Sequence, residues 1–144
     1  MAVADSVGEG RTVDARTSST TVQILPGRIV EWDTSGYIVL PTTTPIVDRM
    51  AGVTVDEVAA RTTATYEPII VQQTGLAAVV CAANSQFTYG GYVRAATAGT
   101  GAGYASTVAL ATTITSTALA AAIGKVVTID ATTEGTTVVV QLGI

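Results

Sequence analysis

The chain has 144 residues, 48% of them hydrophobic and only 12% charged, with a net charge of −4 and no histidine. The length suits one domain with a sizeable single core, and a charged fraction about half the roughly 25% of ordinary soluble domains implies a surface largely covered by other protein. Without histidine, Ser-His-Asp and Cys-His catalytic sets are excluded, and the commonest metal ligand is missing.

Residues 1–21 are polar, with Val3, Val7 and Val13 the sparse apolar positions, and they read as a flexible, extended N-terminal arm, either a frayed terminus or a segment that orders only against a neighbouring subunit or partner. Strands are expected from Val22. Residues 22–25 run into Pro26-Gly27, a favoured turn pair. Residues 28–32 and 37–40 then form a hairpin around the loop Asp33-Thr34-Ser35-Gly36. Pro41 and Pro45 confine the next stretch to an edge or connection. Residues 50–55 read as a strand, and Asp56 to Ala60 fits either one helical turn or a wide loop.

The segment from Glu67 to Val93 is the expected scaffold. It reads as a strand over 68–73, a tight hairpin turn at Thr74-Gly75, and a second strand over 76–82. A turn at Asn84-Ser85 and a strand through Phe87 follow, broken at Gly90-Gly91 and resumed at Tyr92. Strand alternation puts Phe87 and Tyr89 on one face. Residues 95–105 are rich in glycine, alanine and threonine, which predicts a flexible excursion. Residues 108–117 alternate weakly, and 115–122 fit either a short helix or an irregular strand. Val127 and Ile129 fall on one strand face, a turn is expected at Glu134-Gly135, and Val138, Val140, Leu142 and Ile144 alternate with more polar neighbours as a closing hairpin. The pattern predicts an all-β fold of about eight to ten short strands, a barrel or sandwich domain over residues 22–144. No repeat of fixed period stands out.

Motifs that suggest chemistry fail on their details. Asp33-Thr34-Ser35-Gly36 lacks the glycine that must follow Asp-Thr in an aspartic protease, and reads as a turn. Gly99-Thr100-Gly101-Ala102-Gly103 lacks the lysine and the following helix of a phosphate-binding loop. The acidic pairs lack calcium-loop spacing. The seven basic residues (Arg11, Arg16, Arg28, Arg49, Arg61, Arg94 and Lys125) form no stripe, which gives no support to nucleic-acid binding. Cys81, among Val79, Val80, Ala82 and Ala83, reads as a buried, inert thiol. No signal peptide or membrane-length apolar run is visible, so a soluble protein made in a cytoplasm is expected. Neither enzymatic activity nor a cofactor is expected.

Several short motifs follow one another in order. They are Met50-Ala51-Gly52-Val53-Thr54-Val55-Asp56, the strand before Gly75, Ala77 to Ala83, Gly90-Gly91-Tyr92-Val93, and Ile123-Gly124-Lys125-Val126-Val127 before the closing Thr136 to Leu142. Together they resemble the small capsid decoration (cement) proteins of tailed bacteriophages, in particular a prophage-encoded group. The resemblance spans about residues 22–144, with Gly91-Tyr92 standing where the group often has Gly-Asp. It implies a compact β-barrel or β-tulip-like domain that sits as a homotrimer on the outer surface of an expanded phage head. There it would bridge major capsid protein subunits and stabilise the shell against DNA pressure, with no catalysis, no nucleic-acid partner and no membrane. The alternative is a phage head or tail module binding host polysaccharide. Candidate capsid or subunit contacts are Val3, Val7 and Val13 of the arm, and the large side chains Trp32, Phe87, Tyr89, Tyr92 and Tyr104.

Overall fold

A computed structural model of the chain describes residues 10–41, 50–82, 87–96, 102–107, 122–129 and 136–143. They hold ten strands and no helix. The first sheet contains β1 (Thr12–Arg16), β2 (Ile29–Trp32), β3 (Ile38–Val39), β4 (Met50–Thr54) and β5 (Pro68–Gln72), in the order β1-β5-β4-β2-β3. The second contains β6 (Gly75–Val80), β7 (Tyr92–Ala95), β8 (Ala105–Thr107), β9 (Gly124–Ile129) and β10 (Thr137–Leu142), in the order β6-β10-β9-β7-β8. Every strand pairing is antiparallel. The all-β expectation holds, as two five-stranded sheets.

Each sheet curls until its first and last strands meet. In the first, Thr17 bridges Ile38 in parallel, and the Ser18 N–H donates to the Ile38 carbonyl at 3.1 Å. In the second, Cys81 bridges Ala105 in parallel, and the Ala82 N–H donates to the Ala105 carbonyl at 2.9 Å. The two halves are thus two partly closed barrels, the first filled by its own side chains and the second by its own with Ile29 and Val53 of the first joining its cluster. Ile24, Val30, Ile38, Ala51, Ile69 and Val71 fill the first. Phe87, Val93, Ala105, Ile123, Val138 and Val140 lie in the core cluster of the second. Burial of β-branched side chains at this density is the main force holding each half together.

The two sheet orders are the same order: the second is the first with five added to every strand number. The match extends to single hydrogen bonds. Gly27 N–H to Thr54 O (2.9 Å) reappears as Gly90 N–H to Val126 O (2.8 Å). Asp33 N–H to Tyr37 O (2.7 Å) reappears as Ala96 N–H to Tyr104 O (2.7 Å), and Thr17 N–H to Glu67 O (2.8 Å) as Cys81 N–H to Thr136 O (2.7 Å). Val30 faces Gly52 across β2 and β4, and Val93 faces Gly124 across β7 and β9. A side chain on Gly52 would strike the Gln72 carbonyl and Val71, and one on Gly124 the Gln141 carbonyl and Val140. The chain is therefore built from two copies of one five-stranded unit.

Several expected details are corrected. The arm does not extend to residue 21, because β1 pairs with β5 along its whole length and Thr17 is fully buried. Two inward residues, Val13 and Ala15, are enough to seat an edge strand on the first core. Residues 22–25 contribute one bridge, Ile24 to Val58, rather than a strand, and Asp56 to Ala60 is the loop that carries Val58. Gly75 is not a hairpin turn. Its φ of +86° turns the chain from β5 in the first sheet into β6 in the second.

Phe87 and Tyr89 do not share a face, since a turn at Tyr89-Gly90 replaces the expected strand and leaves Phe87 buried and Tyr89 73% exposed. In β9 the inward residue is Val126 and Val127 faces out, with the register shifting between Val139 and Val140. The described end of the glycine-rich excursion is packed: Ala105 is fully buried in β8 and Gly103 is held by two backbone bonds. Val3, Val7, Pro45, the turns at Asn84-Ser85 and Glu134-Gly135, residues 97–101 and 108–121, and Ile144 lie outside the described residues.

The units pack on one another asymmetrically. The first unit offers the outer face of β2 and β4, where Ile29, Val53 and Met50 join the second core. The second unit offers the free edge of β6 and the turn before β8. Val80 N–H donates to Gly27 O at 3.0 Å, and Ile29 N–H donates to Gly103 O at 2.7 Å. The Arg28 guanidinium stacks over the Tyr104 ring at 4.4 Å, and Gln72 Nε2 donates to Leu76 O at 2.9 Å.

Candidate functional site

Among the described residues the acidic, sulfur and aromatic side chains do not converge on one centre. Among the described residues no group of three or more Cys, Asp or Glu side chains is placed to hold a metal ion. Asp33 spends its carboxylate on its own loop, with Oδ1 accepting the Ser35 N–H at 2.8 Å and the Tyr37 N–H at 2.9 Å, so Asp-Thr-Ser-Gly is the turn it was read to be. The Asp56 carboxylate accepts the Ile70 N–H at 2.9 Å and so extends the β4–β5 pairing. Cys81 is fully buried, at the position that Thr17 holds in the first unit. Its burial keeps the thiol from reagents in solution.

One open depression of about 390 Å³ is lined by Glu57, Val58, Ala59, Arg61, Glu67 and Pro68. Its cation is used as a brace. Arg61 Nε donates to Thr20 O at 2.8 Å and Nη1 to Ala59 O at 3.3 Å, tying the loop after β4 to the strand of residues that follows β1. Two acids flank this arginine, and Glu57 accepts from Gln23 Nε2 at 2.8 Å while Glu67 accepts from Thr65 Oγ1 at 2.9 Å. The depression is a junction of loops already bonded to each other.

The predicted contact residues divide sharply. Val13 and Trp32 pack against the first core, and Phe87 lies in the second. Phe87 is buried there, while Val13 and Trp32 are partly buried and turn part of their apolar surface into the chain. Tyr104 is half-buried under Arg28 at the junction of the units. Tyr92 is half-buried on the outer face of the second unit, where Lys125 Nζ lies 5.2 Å from its ring centre. Tyr89, three residues earlier on the same turn, is the most exposed of the large apolar side chains described.

Protein-family models, curated proteins and solved structures give no match to this chain. Its functional surfaces must therefore be read from geometry.

Sequence reading missed the remaining exposed apolar side chains. Val22, Val55, Tyr66 and Val127 are each more than two-fifths exposed. Val55 and Ile70 adjoin, since the Val55 N–H donates to the Ile70 carbonyl at 3.1 Å. Tyr66 packs against Tyr37 with ring centres 4.6 Å apart at 38°. Alternation in residues 53–55 could have flagged Val55 as sharing the face of Val53. Tyr66 lies in a segment without periodicity and carried no such signal.

Proposed function

We propose that this chain is a structural decoration (cement) protein of a tailed-bacteriophage head. It binds the outer surface of the expanded shell as a homotrimer, bridges neighbouring major capsid subunits and catalyses nothing. The observation that carries the reading is the set of apolar and aromatic side chains left at the surface, Val22, Val55, Tyr66, Tyr89 and Val127, on a chain with only 12% charged residues. Such side chains gain about 25 cal/mol per Å² when a partner covers them, before the costs of association. Presented three at a time, weak contacts add through effective concentration into firm attachment.

The resemblance supports the same reading, and its recurring glycine motifs lie on paired strands. Ala51-Gly52-Val53 is on β4, and Gly124-Lys125-Val126 is on β9. The test is binding to expanded empty heads, read by co-sedimentation and by occupancy of the shell. Saturable binding that raises the pressure or temperature the heads withstand is expected, with Tyr89→Ala weakening it. A trimmed chain for testing the arm must stop at Glu9, because removing residues to Ser19 also removes β1. Failure of the intact chain to bind expanded heads would overturn the proposal.

A further inference from the structure

Within the chain, the first unit presents a head surface and the second unit docks its tail surface onto it. Because the units are copies, each chain carries a second head and a second tail that the internal junction does not use. The unused head is on the second unit. Gly90, Gly91 and Tyr92 stand where Gly27, Arg28 and Ile29 stand in the first, as the paired bonds to Val126 and Thr54 fix. The unused tail is on the first unit, where β1 stands for β6 and the Gly36-Tyr37 turn stands for Gly103-Tyr104.

The four turn glycines report which surfaces are occupied. All have positive φ: +72° at Gly27 and +75° at its counterpart Gly90, +82° at Gly103 and +84° at its counterpart Gly36. At the internal junction a side chain on Gly103 would come within 2.7 Å of Ile29 O, and one on Gly27 within 3.1 Å of Ala78 O. At Gly36 and Gly90 no atom of the described residues lies within 4 Å. Among the described residues the backbone is prepared alike at both places and is covered at only one.

The hydrogen-bonding groups agree. Thr17 N–H bonds across to Glu67, so by strand alternation the backbone groups of Thr12, Asp14 and Arg16 point away from β5. This open edge matches the edge of β6 that receives Gly27 O. An unpaired edge invites another strand or loop to bond to it.

We infer that copies of this chain associate head to tail, the Gly90-Tyr92 turn of one docking on the β1 edge and Gly36 turn of the next as the Gly27-Ile29 turn docks within the chain. Arg16 N–H then donates to Gly90 O of the neighbour, and the neighbour's Tyr92 N–H donates to Gly36 O, repeating the two bonds of the internal junction. Gln141, exposed and with Nε2 donating to the Leu142 carbonyl at 3.4 Å, stands where Gln72 stands and turns instead to the neighbour's Thr12 carbonyl as Gln72 Nε2 donates to Leu76 O. The contact is heterologous, so copies add in one direction and close into a ring where the rotation permits. The outer surfaces are more polar than the internal ones: Lys125 replaces Val53, and Asp14 and Arg16 replace Ala78 and Val80. Association between chains is accordingly reversible where the internal junction is permanent. The inference stands without the capsid reading; with the proposed trimer it gives six units around a three-fold axis.

The test uses the full chain and Gly36→Asn and Gly90→Asn, since asparagine tolerates positive φ while filling the space a docked neighbour needs. Multi-angle scattering and sedimentation velocity over a concentration series give the masses, with circular dichroism and melting to confirm folding. Wild type is expected to run at a multiple of 14.5 kDa. Each variant alone loses this association at least tenfold. An equal mixture of the two forms dimers and nothing larger, because each variant keeps one working surface. Arg16→Pro, which removes an outward N–H without touching the bonds to β5, gives a second tail variant should Gly36→Asn misfold. A wild type monomeric throughout, variants that associate as wild type does, or a mixture that stays monomeric would each overturn the inference. Head binding is measured separately, so a chain that associates but ignores heads refutes only the decoration reading.

Discussion

Gly124→Ala isolates the close approach of β9 to β10. An added Cβ would fall inside 3.0 Å of the Gln141 carbonyl and lie 2.8 Å from Val140 Cγ1, itself fully buried. The oxygen belongs to a paired strand and cannot swing aside, so the strands must separate. Overpacking of this kind costs about 1–3 kcal/mol, and each ladder hydrogen bond lengthened past usefulness adds about 1 kcal/mol. A loss of about 3–4 kcal/mol follows, and for a chain of this size that is a fall in Tm on the order of 10 °C. Gly52→Ala meets the same obstruction at the Gln72 carbonyl and adds backbone strain, because φ there is +142°. It should cost about 1–3 kcal/mol more. Gly143→Ala, with no described residue within 4 Å and a φ of +79°, should cost about 1–2 kcal/mol from its backbone alone at the end of β10. Urea titrations with a common m value read all three. If Gly124→Ala loses no more than Gly143→Ala, the two strands do not approach as described, and the equivalence of the two units loses its best steric witness.

Three further outcomes follow from single side chains. Thr54 is buried, with Oγ1 donating to Leu25 O at 2.8 Å and accepting the Arg28 N–H at 3.0 Å, so Thr54→Val should cost about 1–3 kcal/mol in denaturant, and an unchanged midpoint would show that the hydroxyl braces nothing. Cys81 should resist a thiol reagent in the native chain and react once urea unfolds it; rapid native labelling would place the thiol outside the core. Tyr66→Ala removes a ring pair with Tyr37 and should lower stability by about 0.5–1.5 kcal/mol, while a Tyr66→Phe chain that melts with wild type would assign the effect to the rings rather than the hydroxyl.

The elements that could be read from sequence are those whose turn chemistry and alternation agree. The β2–β3 hairpin was legible because Asp33 and Gly36 announce the loop and apolar runs flank it, and β10 because Val138, Val140 and Leu142 alternate cleanly into the core. The β1 strand was not legible, since an edge strand needs only two anchoring side chains and offers no longer pattern. Gly75 was misread for another reason. A glycine with positive φ marks a change of direction, but it does not say whether the next strand rejoins the same sheet. Trp32 and Phe87 look like contact anchors in sequence because large aromatics serve interfaces and cores alike, and only packing decides between them.

The duplication was hidden by packing as well. Matched core positions trade volume: Ile24 for Phe87, Trp32 for Ala95, Ile38 for Ala105 and Ala51 for Ile123. A core must be filled to a fixed density but not by fixed residues, so a large side chain lost at one place is offset by one gained at another, and identity disappears while the barrel remains. Loops of unequal length then remove any constant period. Among the identities that survive are glycines the backbone favours: Gly27 and Gly90, and Gly36 and Gly103, at turns of positive φ, and Gly52 and Gly124 at close approaches that leave no room for a Cβ. Gly52 and Gly124 are needed for each barrel to close and would be kept in any single copy. Gly36 and Gly90 carry a different implication. Asparagine or aspartate also adopts their φ, and no described residue crowds them, so within the described fold positive φ favours glycine there without requiring it. A neighbour docked as the internal junction is docked does require it, and that requirement ties the repeat to assembly.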